Sequence, residues 1–433
     1  MRSDLSVSRN RLAFMLGGLA MFGPFSIDTF FPAFAAMAKD FGVGQVAMQQ
    51  TISVYLLAYA AASLFHGALS DAYGRRRVIL SGLSVFALAS VGCALSSTLG
   101  MLLAFRAVQG ASAGVGLIVG RAVIRDCLHG HDAQKLMSHV SMVFSIAPAI
   151  APMVGGAILG WTGWHGTFWF LVLFAIALWL ATFFALPETH RREDRIAFHP
   201  ETLLAGYKAM LGNGAFVKLA LAGSMNFNAL FLYIASVPVF VPELLGLDEH
   251  QYAWFFAPTI AGMMLGAFAS GRMAGKVDGL RMANLGWIVG GLAGAGNIAF
   301  NLWASDLHPL RLHWLGADLL LPLAVLPIAA TAFGIALVFP ILTLALLDMY
   351  PQRRGGASSA QAFIGLILNA IVAGVIASAV APAHGVHLGL RLAATAAAFT
   401  LVGWLLWRGH AHRGTPVAEV PNEPAMLAAA EEI

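Results

Sequence analysis

The chain of 433 residues is 59% hydrophobic and only 11% charged, and its formal net charge is +4. A soluble domain carries about a quarter charged residues, so this composition excludes an ordinary soluble protein. The basic residues lie at the ends of apolar stretches rather than on one face, which argues against a nucleic-acid partner. Cys93 and Cys127 fall at different depths of the chain's apolar pattern, which argues against a disulfide framework.

Apolar stretches long enough to cross a membrane recur along the whole chain. A helix needs about 20 apolar residues to span a hydrocarbon core of roughly 30 Å. The pattern therefore predicts an all-α membrane protein with twelve transmembrane helices in two six-helix bundles. The predicted spans lie at approximately 12–37, 46–69, 77–98, 99–124, 138–160, 164–186, 213–240, 251–271, 282–303, 316–347, 357–381 and 387–407.

A charged interruption after the sixth span divides the chain. Residues 1–186 are predicted to form the N-terminal six-helix bundle, 187–212 a cytoplasmic linker, 213–407 the C-terminal six-helix bundle and 408–433 a mobile cytoplasmic tail. The basic N-terminus before the first apolar run imitates a signal peptide. Asp28 and Pro32 interrupt that run and further spans follow, so we expect an uncleaved first helix.

Lysine and arginine are distributed unevenly between the two sides of this layout. Loops rich in these residues stay on the cytoplasmic side. With both termini inside, the cytoplasmic segments hold most of the basic residues, whereas the outer loops hold only Lys39 and Arg311. A miscount by one helix would scramble this separation. The bias therefore supports the twelve-helix count and predicts that both termini are cytoplasmic.

The loop between the second and third spans carries spaced glycines, an acidic residue and a basic cluster. Its sequence, Gly67-Ala-Leu-Ser-Asp71-Ala-Tyr-Gly74-Arg75-Arg76-Arg77, resembles the loop signature of the major facilitator superfamily. Glycines let helix ends pack closely, and the arginines can reach an acidic partner, expected to be Asp126. The resemblance implies the major facilitator fold and assigns these residues to conformational gating. The simpler interpretation is that three arginines merely follow the positive-inside rule.

Two further features bear on this resemblance. The family usually has a basic residue where this chain has Ala72, so one member of the charge network is missing. A degenerate second copy of the motif, with Arg272, Lys276 and Asp278, lies in the equivalent loop of the second half. The second copy supports an internal repeat of six spans.

The fourth span contains Arg106-Ala-Val-Gln109-Gly110, which resembles the superfamily motif associated with proton-coupled members. A charge within a span is costly and usually faces a bundle interior or a water-filled cavity. Gln109 lies three residues further on, on nearly the same helix face. The alternative is an arginine that extends its side chain from the helix end to the membrane surface.

The fifth span contains Pro148, Pro152, Gly155 and Gly156 in a pattern that resembles the superfamily's antiporter motif. Two prolines four residues apart remove two backbone donors on one face and permit a bend. The small residues Gly262, Gly266 and Ser270 of the eighth span form a ridge that is expected to pack against this face. A purely structural kink is the alternative.

The resemblance extends over nearly the whole chain and narrows to the Bcr/CflA multidrug-resistance branch. The first span has Ile27-Asp28-Thr-Phe-Phe-Pro32-Ala, similar to that branch's acidic residue followed four positions later by proline. Segments 51–59, 164–168, 186–189 and the Gly355-Gly-Ala-Ser-Ser359 turn are similar as well. Members of this branch are bacterial inner-membrane exporters of varied compounds, so the resemblance implies that location and activity.

Asp28 and Arg106 are the candidate proton-coupling residues. At 1.5 Å per residue, Asp28 lies roughly 22 Å above the cytoplasmic face and Arg106 roughly 20 Å above it, so the two charges are expected at one level. Burial favours a neutral carboxyl while a nearby guanidinium favours a carboxylate, which makes such a site able to bind and release a proton. A permanent structural ion pair is the alternative.

Substrate contacts are predicted from polar and aromatic residues within the spans. An apolar cavity with a few polar groups suits a binder of varied compounds. Any single aromatic can instead face lipid or pack in the core. The candidates are Tyr55, Gln109, Asn226, Asn228, Phe231 and Gln361.

Together these patterns predict a secondary transporter that exports small drug-like molecules in exchange for protons by alternating access. An exporter of a natural metabolite such as an amino acid, or a symporter on the same fold, is the alternative. The chain lacks the zinc-protease, nucleophile-elbow and phosphate-loop motifs, which argues against an enzyme or an ATP-driven pump. We expect no metal and no cofactor beyond the proton as coupling ion. The expected partners are the small-molecule substrate, protons and the lipid bilayer, and the protein is expected to be a monomer.

Overall fold

The computed structural model of the protein describes residues 9–196, 198–237, 240–245, 253–306, 313–314, 317–318, 320–380 and 386–411. Nearly all of these residues are helical. The α-helices are α1 (Arg9–Asp28), α2 (Phe34–Phe41), α3 (Gln45–Tyr73), α4 (Arg75–Ala94), α5 (Leu99–Ala113), α6 (Val115–Cys127), α7 (Gly130–Ala185), α8 (Pro200–Gly212), α9 (Gly214–Ala235), α10 (Ala253–Met273), α11 (Gly279–Asp306), α12 (Leu320–Met349), α13 (Arg354–Ile371), α14 (Ala377–Val380) and α15 (Val386–Ala411). Short 3₁₀ turns cover Phe31–Ala33 and Arg192–Asp194, π-helical turns cover Phe240–Leu244 and Val372–Ile376, and the strands β1 (His313–Trp314) and β2 (Ala317–Asp318) pair antiparallel.

Each of the twelve predicted spans coincides with helix in the structure. Helices α5 and α6 together form the fourth span, and α7 contains both the fifth and the sixth, separated at Gly163 by a non-helical φ of 71°. Within the described ranges, nine helices are long and apolar enough to cross a membrane. The first and eleventh predicted spans are not among these nine. In both, the α-helix is interrupted, after Asp28 and after Ile371.

The interruption in the first span follows from the position of Pro32. In a continuous helix the residue 32 N–H would bond to the Asp28 carbonyl, but proline has no N–H and its ring would clash with that carbonyl. Helix α1 accordingly ends at Asp28, and the chain passes through the 3₁₀ turn into α2. The Thr29 N–H still bonds to the Phe25 carbonyl at 3.1 Å. The acidic residue therefore lies at a helix end that is flanked by apolar sequence.

The chain divides into two compact units. The described part of the first comprises residues within 1–213 together with 346–363. In it, α1 packs on α7 and α6, α3 packs on α5, and α4 packs on α5 and α7. Gly110 of α5 lies so close to α3 that a β-carbon would overlap the Tyr55 carbonyl. Small residues therefore set the helix spacing in this unit, as is usual in membrane bundles.

The described part of the second unit lies within residues 214–345 and 364–411. Here α9 and α11 both pack on α15, around a buried core that includes Tyr233, Phe240 and Phe255. A β-carbon at Gly262 or Gly266 of the α10 ridge would overlap carbonyl groups of α12 within the same unit. The ridge thus allows close packing against the tenth span, and its packing against the fifth span stays a prediction.

Large apolar side chains also cover the outside of the helices. Leu57, Leu88 and Phe184 are each more than 70% exposed. Monomeric soluble proteins rarely present such extended apolar surface, whereas a bilayer accepts it. The surface is that of a multi-pass membrane protein.

Candidate functional site

The loop motif forms a tight junction between α3 and α4. Gly74, with a φ of 98°, is the single residue between the two helices. This left-handed conformation favours glycine, and a β-carbon there would also overlap the Glu188 carboxylate. The junction places Asp71 at the end of α3 and Arg75 at the start of α4, where both side chains are buried.

Arg75 is the basic centre of a charge network. Its guanidinium forms an ion pair with Asp71, and its Nε lies 2.9 Å from Asp126 Oδ2. Its Nη1 also donates to Ser70 Oγ at 2.7 Å. The Arg75 side chain is only 1% exposed. A buried guanidinium is tolerated only when it is paired and hydrogen-bonded, and here two carboxylates meet that requirement.

Asp71 and Asp126 extend the network to the start of α13. The Asp71 carboxylate accepts hydrogen bonds from the backbone N–H groups of Gly355 and Gly356, at 3.2 and 2.9 Å. The Asp126 carboxylate pairs with Arg354 at 3.0 Å. The first N–H groups of a helix lack partners inside the helix and carry partial positive charge. Asp71 therefore acts as an N-terminal cap for a helix that begins about 280 positions later in the chain.

Backbone contact reinforces this connection. A β-carbon at Gly67 would overlap the Gly355 carbonyl, so both positions require glycine for the approach. Ser359 Oγ accepts from the Gly67 N–H at 2.9 Å and donates to the Ser63 carbonyl at 2.6 Å. The segment predicted as a turn, 355–359, instead forms the first turns of α13, which is a correction to the sequence-based interpretation. Its small residues permit the contact with α3.

Two of the three predicted arginines lie outside the network. Arg76 donates to the Phe183 carbonyl at 2.6 Å, and its guanidinium lies 5.0 Å from the centre of the Phe183 ring. Arg77 is exposed. Only Arg75 turns inward, because neighbouring residues on a helix point in different directions. The expectation that Arg76 and Arg77 also reach acidic partners was therefore wrong for the described residues.

Several network members were not predicted from sequence. Glu188 accepts from the Arg75 backbone N–H at 2.8 Å. A separate ion pair between Arg125 and Asp348 was not predicted either. Ser70, Arg354 and Ser359 were also missed. The only available signal was the similarity of segments 186–189 and 355–359 to the Bcr/CflA branch, and that signal did not say what they contact.

Arg106 lies at the centre of a second polar cluster. Its side chain is fully buried between the rings of Phe30 and Tyr55, whose centres are 4.4 and 4.2 Å from the guanidinium carbon. Its Nη1 donates to the Ser26 carbonyl at 3.1 Å and to Gln109 Oε1. Its Nη2 has no hydrogen-bond partner among the described residues. The prediction that Arg106 faces the bundle interior is correct, and the helix-end alternative is not.

Uncharged groups hold the rest of this cluster in place. Gln109 Nε2 donates to Ser90 Oγ at 2.7 Å. The Tyr55 hydroxyl bonds to Ser26 Oγ and lies 3.2 Å from the Gly23 carbonyl. Tyr55 and Gln109, predicted as substrate contacts, are thus both partners of Arg106 in this conformation. Four helical segments, α1, α3, α4 and α5, meet at the cluster.

Asp28 does not pair with Arg106 in the described structure. Arg106 bonds to the Ser26 carbonyl, two residues before Asp28, and its charge is offset by carbonyl and amide dipoles and by aromatic faces. No ion pair joins the two side chains within the part of the chain that is described. The permanent ion pair considered as an alternative is therefore not observed, and the role of the two residues in proton coupling stays a prediction.

The antiporter-like motif of the fifth span packs against the break in α1. A β-carbon at Gly155 would overlap the Thr29 carbonyl oxygen, whereas one at Gly156 would meet nothing within 4 Å. Gly155 therefore allows close packing against the first span, and the predicted packing against the eighth span stays a prediction. The backbone of α7 stays helical through Pro148 and Pro152, whose side chains lie outside the described residues.

The remaining substrate candidates are largely buried. In the second unit, Asn228 Nδ2 donates to Asn369 Oδ1 at 2.9 Å, while Asn228 Oδ1 has no partner within the described residues. Asn226 is 5% exposed, and Phe231 stacks on Phe227 with ring centres 6.0 Å apart. In the first unit, Gln361 is buried in α13. The structure therefore gives Asn228 a polar neighbour and Phe231 an aromatic one, and the contact of all four residues with substrate stays a prediction.

Comparison with known proteins gives a consistent result. A family model described as Major Facilitator Superfamily matches residues 14–371. Multidrug resistance protein D of Escherichia coli is 31% identical over 424 residues, which cover 94% of this chain and 98% of that protein. The bicyclomycin resistance protein homolog of Haemophilus influenzae is 27% identical over 370 residues, covering 84% of this chain and 88% of that protein. The resemblance to the Bcr/CflA branch is confirmed by these relatives.

Solved structures support the same fold. The crystal structure of the human organic anion transporter MFSD10 (TETRAN) matches with a TM-score of 0.72 and 19% identity, covering 92% of this chain and 99% of that one. The structure of the proton:xylose symporter XylE matches with a TM-score of 0.72 and 13% identity, covering 93% of this chain and 96% of that one. At these identities the similarity concerns the fold alone. The predicted major facilitator fold is confirmed.

Proposed function

Because the chain belongs to the major facilitator superfamily and is a membrane transporter of small molecules rather than an enzyme, we propose that it exports drug-like compounds in exchange for protons. The drug-like substrate class is supported by the names of the relatives, which include a multidrug resistance protein and a bicyclomycin resistance homolog. We further propose an inner-membrane monomer with both termini in the cytoplasm, on the strength of the basic-residue distribution.

One observation carries the proton-coupling part of the proposal: Asp28 lies at the end of α1 without an ion pair among the described residues, two positions after the Ser26 carbonyl that binds the buried Arg106. An unpaired carboxyl in an apolar surrounding has little to hold it in one charge state, so a change in its surroundings can drive proton binding or release. Arg106 Nη2 is a donor without a partner among the described residues. In our proposal it stabilises the Asp28 carboxylate, or an acceptor on the substrate, in another conformation.

The alternating-access part rests on the charge network. Asp71, Arg75 and Asp126 are joined to the start of α13 by hydrogen bonds and ion pairs that are all discrete and reversible. Interactions of this kind can hold one conformation and be released in another. We propose that they stabilise the state that is closed to the cytoplasm.

Two measurements test this function. An efflux-deficient bacterium that expresses the chain should show raised resistance to several chemically unrelated compounds in a broad growth screen. Purified protein in liposomes should then move protons when such a compound is added, with the direction set by an imposed pH gradient. Resistance to no compound, with export of an amino acid or another metabolite instead, would favour the metabolite exporter. Movement of substrate and proton in the same direction would establish a symporter.

A further inference from the structure

We infer that the linker between the two six-helix halves is a working part of the cytoplasmic gate, with Glu188 and Tyr207 as positioning residues for the Asp71–Arg75 network. This inference rests on the proposed alternating-access function. The linker comprises residues 187–212, its last part is α8, and Asn213 follows it directly. Its contacts with α3, α4 and the start of α13 all lie within the first unit.

Glu188 completes the start of α4. The residue before that helix is Gly74, which has no side chain to cap the first N–H groups. Glu188 Oε1 takes this role by accepting from the Arg75 N–H at 2.8 Å, and it also accepts from the His190 N–H at 3.1 Å. An anion at a helix N-terminus is stabilising. The linker carboxylate thus fixes the backbone of the residue whose guanidinium binds Asp71 and Asp126.

Tyr207 joins α8 to the contact between α3 and α13. Its hydroxyl donates to the Leu64 carbonyl of α3. The hydroxyl lies near Ser359, the residue that bonds to both Gly67 and Ser63. Burial raises the pKa of the Tyr207 hydroxyl above its usual range, so this group is a neutral donor at physiological pH. One phenol therefore bonds to α3 at the place where α3 meets α13.

Further contacts hold the linker in this position. The Ile196 N–H lies 3.4 Å from the Asp71 carbonyl, and Asn213 Nδ2 donates to the Tyr350 hydroxyl at 3.1 Å. Met210 is 2% exposed. An open pocket lies between the linker, the end of α3 and the start of α13. The linker therefore contacts the residues around the Asp71–Arg75 network at several points. A flexible connection that only joined the two halves would not need these contacts.

The test uses a reporter that requires no substrate. Ser63 is fully buried where α3 meets α13, and within the described ranges its hydroxyl bonds only to the Ala60 carbonyl of its own helix. In a Ser63→Cys background, the rate of alkylation by a maleimide in inside-out membrane vesicles reports opening of this junction. Cys93 and Cys127 are buried, and the protein without Ser63→Cys measures their contribution.

Two variants remove the linker contacts and two matched variants serve as controls. Glu188→Gln deletes one negative charge, and Tyr207→Phe deletes one hydroxyl group. Glu193→Gln changes an exposed linker carboxylate, and Tyr73→Phe changes a tyrosine that is 51% exposed and makes no hydrogen bond through its hydroxyl among the described residues. All four are compared at equal thermal stability.

We expect alkylation to be about five-fold faster in Tyr207→Phe, the effect of losing one hydrogen bond in the closed state. In Glu188→Gln the amide oxygen can still accept from the Arg75 N–H, and the lost negative charge at the start of α4 should make alkylation about two- to five-fold faster. Both controls should leave the rate unchanged. The parental rate in Tyr207→Phe would overturn the inference, and this variant decides the matter if Glu188→Gln does not fold. Faster alkylation in a protein that exports no drug-like compound would refute the proposed function and leave the inference standing.

Discussion

The Oδ2 atom of Asp71 lies 2.9 Å from the backbone nitrogen of Gly356, at the first turn of α13. The two residues are 285 positions apart in the chain. One carboxylate thus neutralises Arg75 and caps a distant helix at the same time. A hydrogen bond to a carboxylate is strong, and leaving one of its partners buried without the other costs free energy. Such a bond suits a contact that must form and break completely during transport.

Asp71→Ala is expected to reduce transport by at least about tenfold while leaving membrane insertion intact. The change removes the cap from α13 and one of the two counter-charges of buried Arg75. Loss of one partner from a comparable buried ion pair costs about 3–5 kcal/mol of stability. Arg75 keeps Asp126, so the fold is retained. Substrate export from proteoliposomes, with thermal stability measured in parallel, checks this prediction.

Asp278→Ala provides the matched control for Asp71→Ala, because Asp278 is in the degenerate second copy of the motif. Its side chain is exposed, and among the described residues it bonds only to the Leu280 N–H, at 3.1 Å. We expect transport close to that of the parent protein. Wild-type export by well-folded Asp71→Ala would show that the network is not needed for transport.

Asp28→Asn is expected to abolish proton-coupled export and to leave the fold intact. An amide has nearly the shape of the carboxyl but cannot exchange a proton. Because Arg106 is held by uncharged groups rather than by Asp28, the substitution leaves no buried counter-charge unpaired in this conformation. Substrate-induced proton movement in liposomes with an imposed pH gradient should fall by at least about tenfold if the carboxyl carries the proton.

Asp40→Asn is the control for Asp28→Asn. Asp40 is exposed and accepts from Trp164 Nε1 at 2.7 Å, a bond that an amide oxygen can also accept. The rate of substrate-induced proton movement in Asp40→Asn should equal that of the parent protein. If Asp28→Asn moves protons at the parental rate, Asp28 is not the carrier, and Asp126 and Asp348 become the next candidates.

Arg106→Lys is expected to lower both thermal stability and transport. A lysine ammonium cannot lie flat between the Phe30 and Tyr55 rings while it bonds to the Ser26 carbonyl and Gln109. Each buried acceptor left unpaired costs about 1–3 kcal/mol. The midpoint of thermal unfolding in detergent measures the effect. Arg77→Lys, at an exposed position, should change neither property, and an equally stable Arg106→Lys would contradict the assigned packing.

Gly155→Ala and Gly156→Ala are expected to differ sharply although they are adjacent. A methyl group at Gly155 would overlap the Thr29 carbonyl at the break in α1, and overpacking of this kind costs about 1–3 kcal/mol or more. A methyl group at Gly156 meets nothing within 4 Å and should have little effect. Thermal stability and export of the two purified variants distinguish the cases. Equal behaviour would mean that α1 and α7 do not pack closely at this point.

Sequence alone determined the features that depend on local composition. Twelve apolar segments are recognisable because a span must be apolar over its whole length, whatever its neighbours are. The end of α1 at Asp28 follows from Pro32, since the missing N–H would have bonded to the Asp28 carbonyl. The loop motif and Arg106 stand out because charges and spaced glycines are rare within such apolar sequence.

Tertiary structure alone decided which of these residues meet. Whether Arg75 or Arg76 turns toward Asp126 depends on the rotation of α4 about its axis. A membrane helix that is hydrophobic on all sides does not reveal this rotation in its sequence. The partners of Gly155, Gly262 and Gly266 depend on helix neighbours that small residues alone do not identify. Glu188 and Gly356 reach the network from remote parts of the chain, because hydrogen bonds between helix ends form only after the helices have packed.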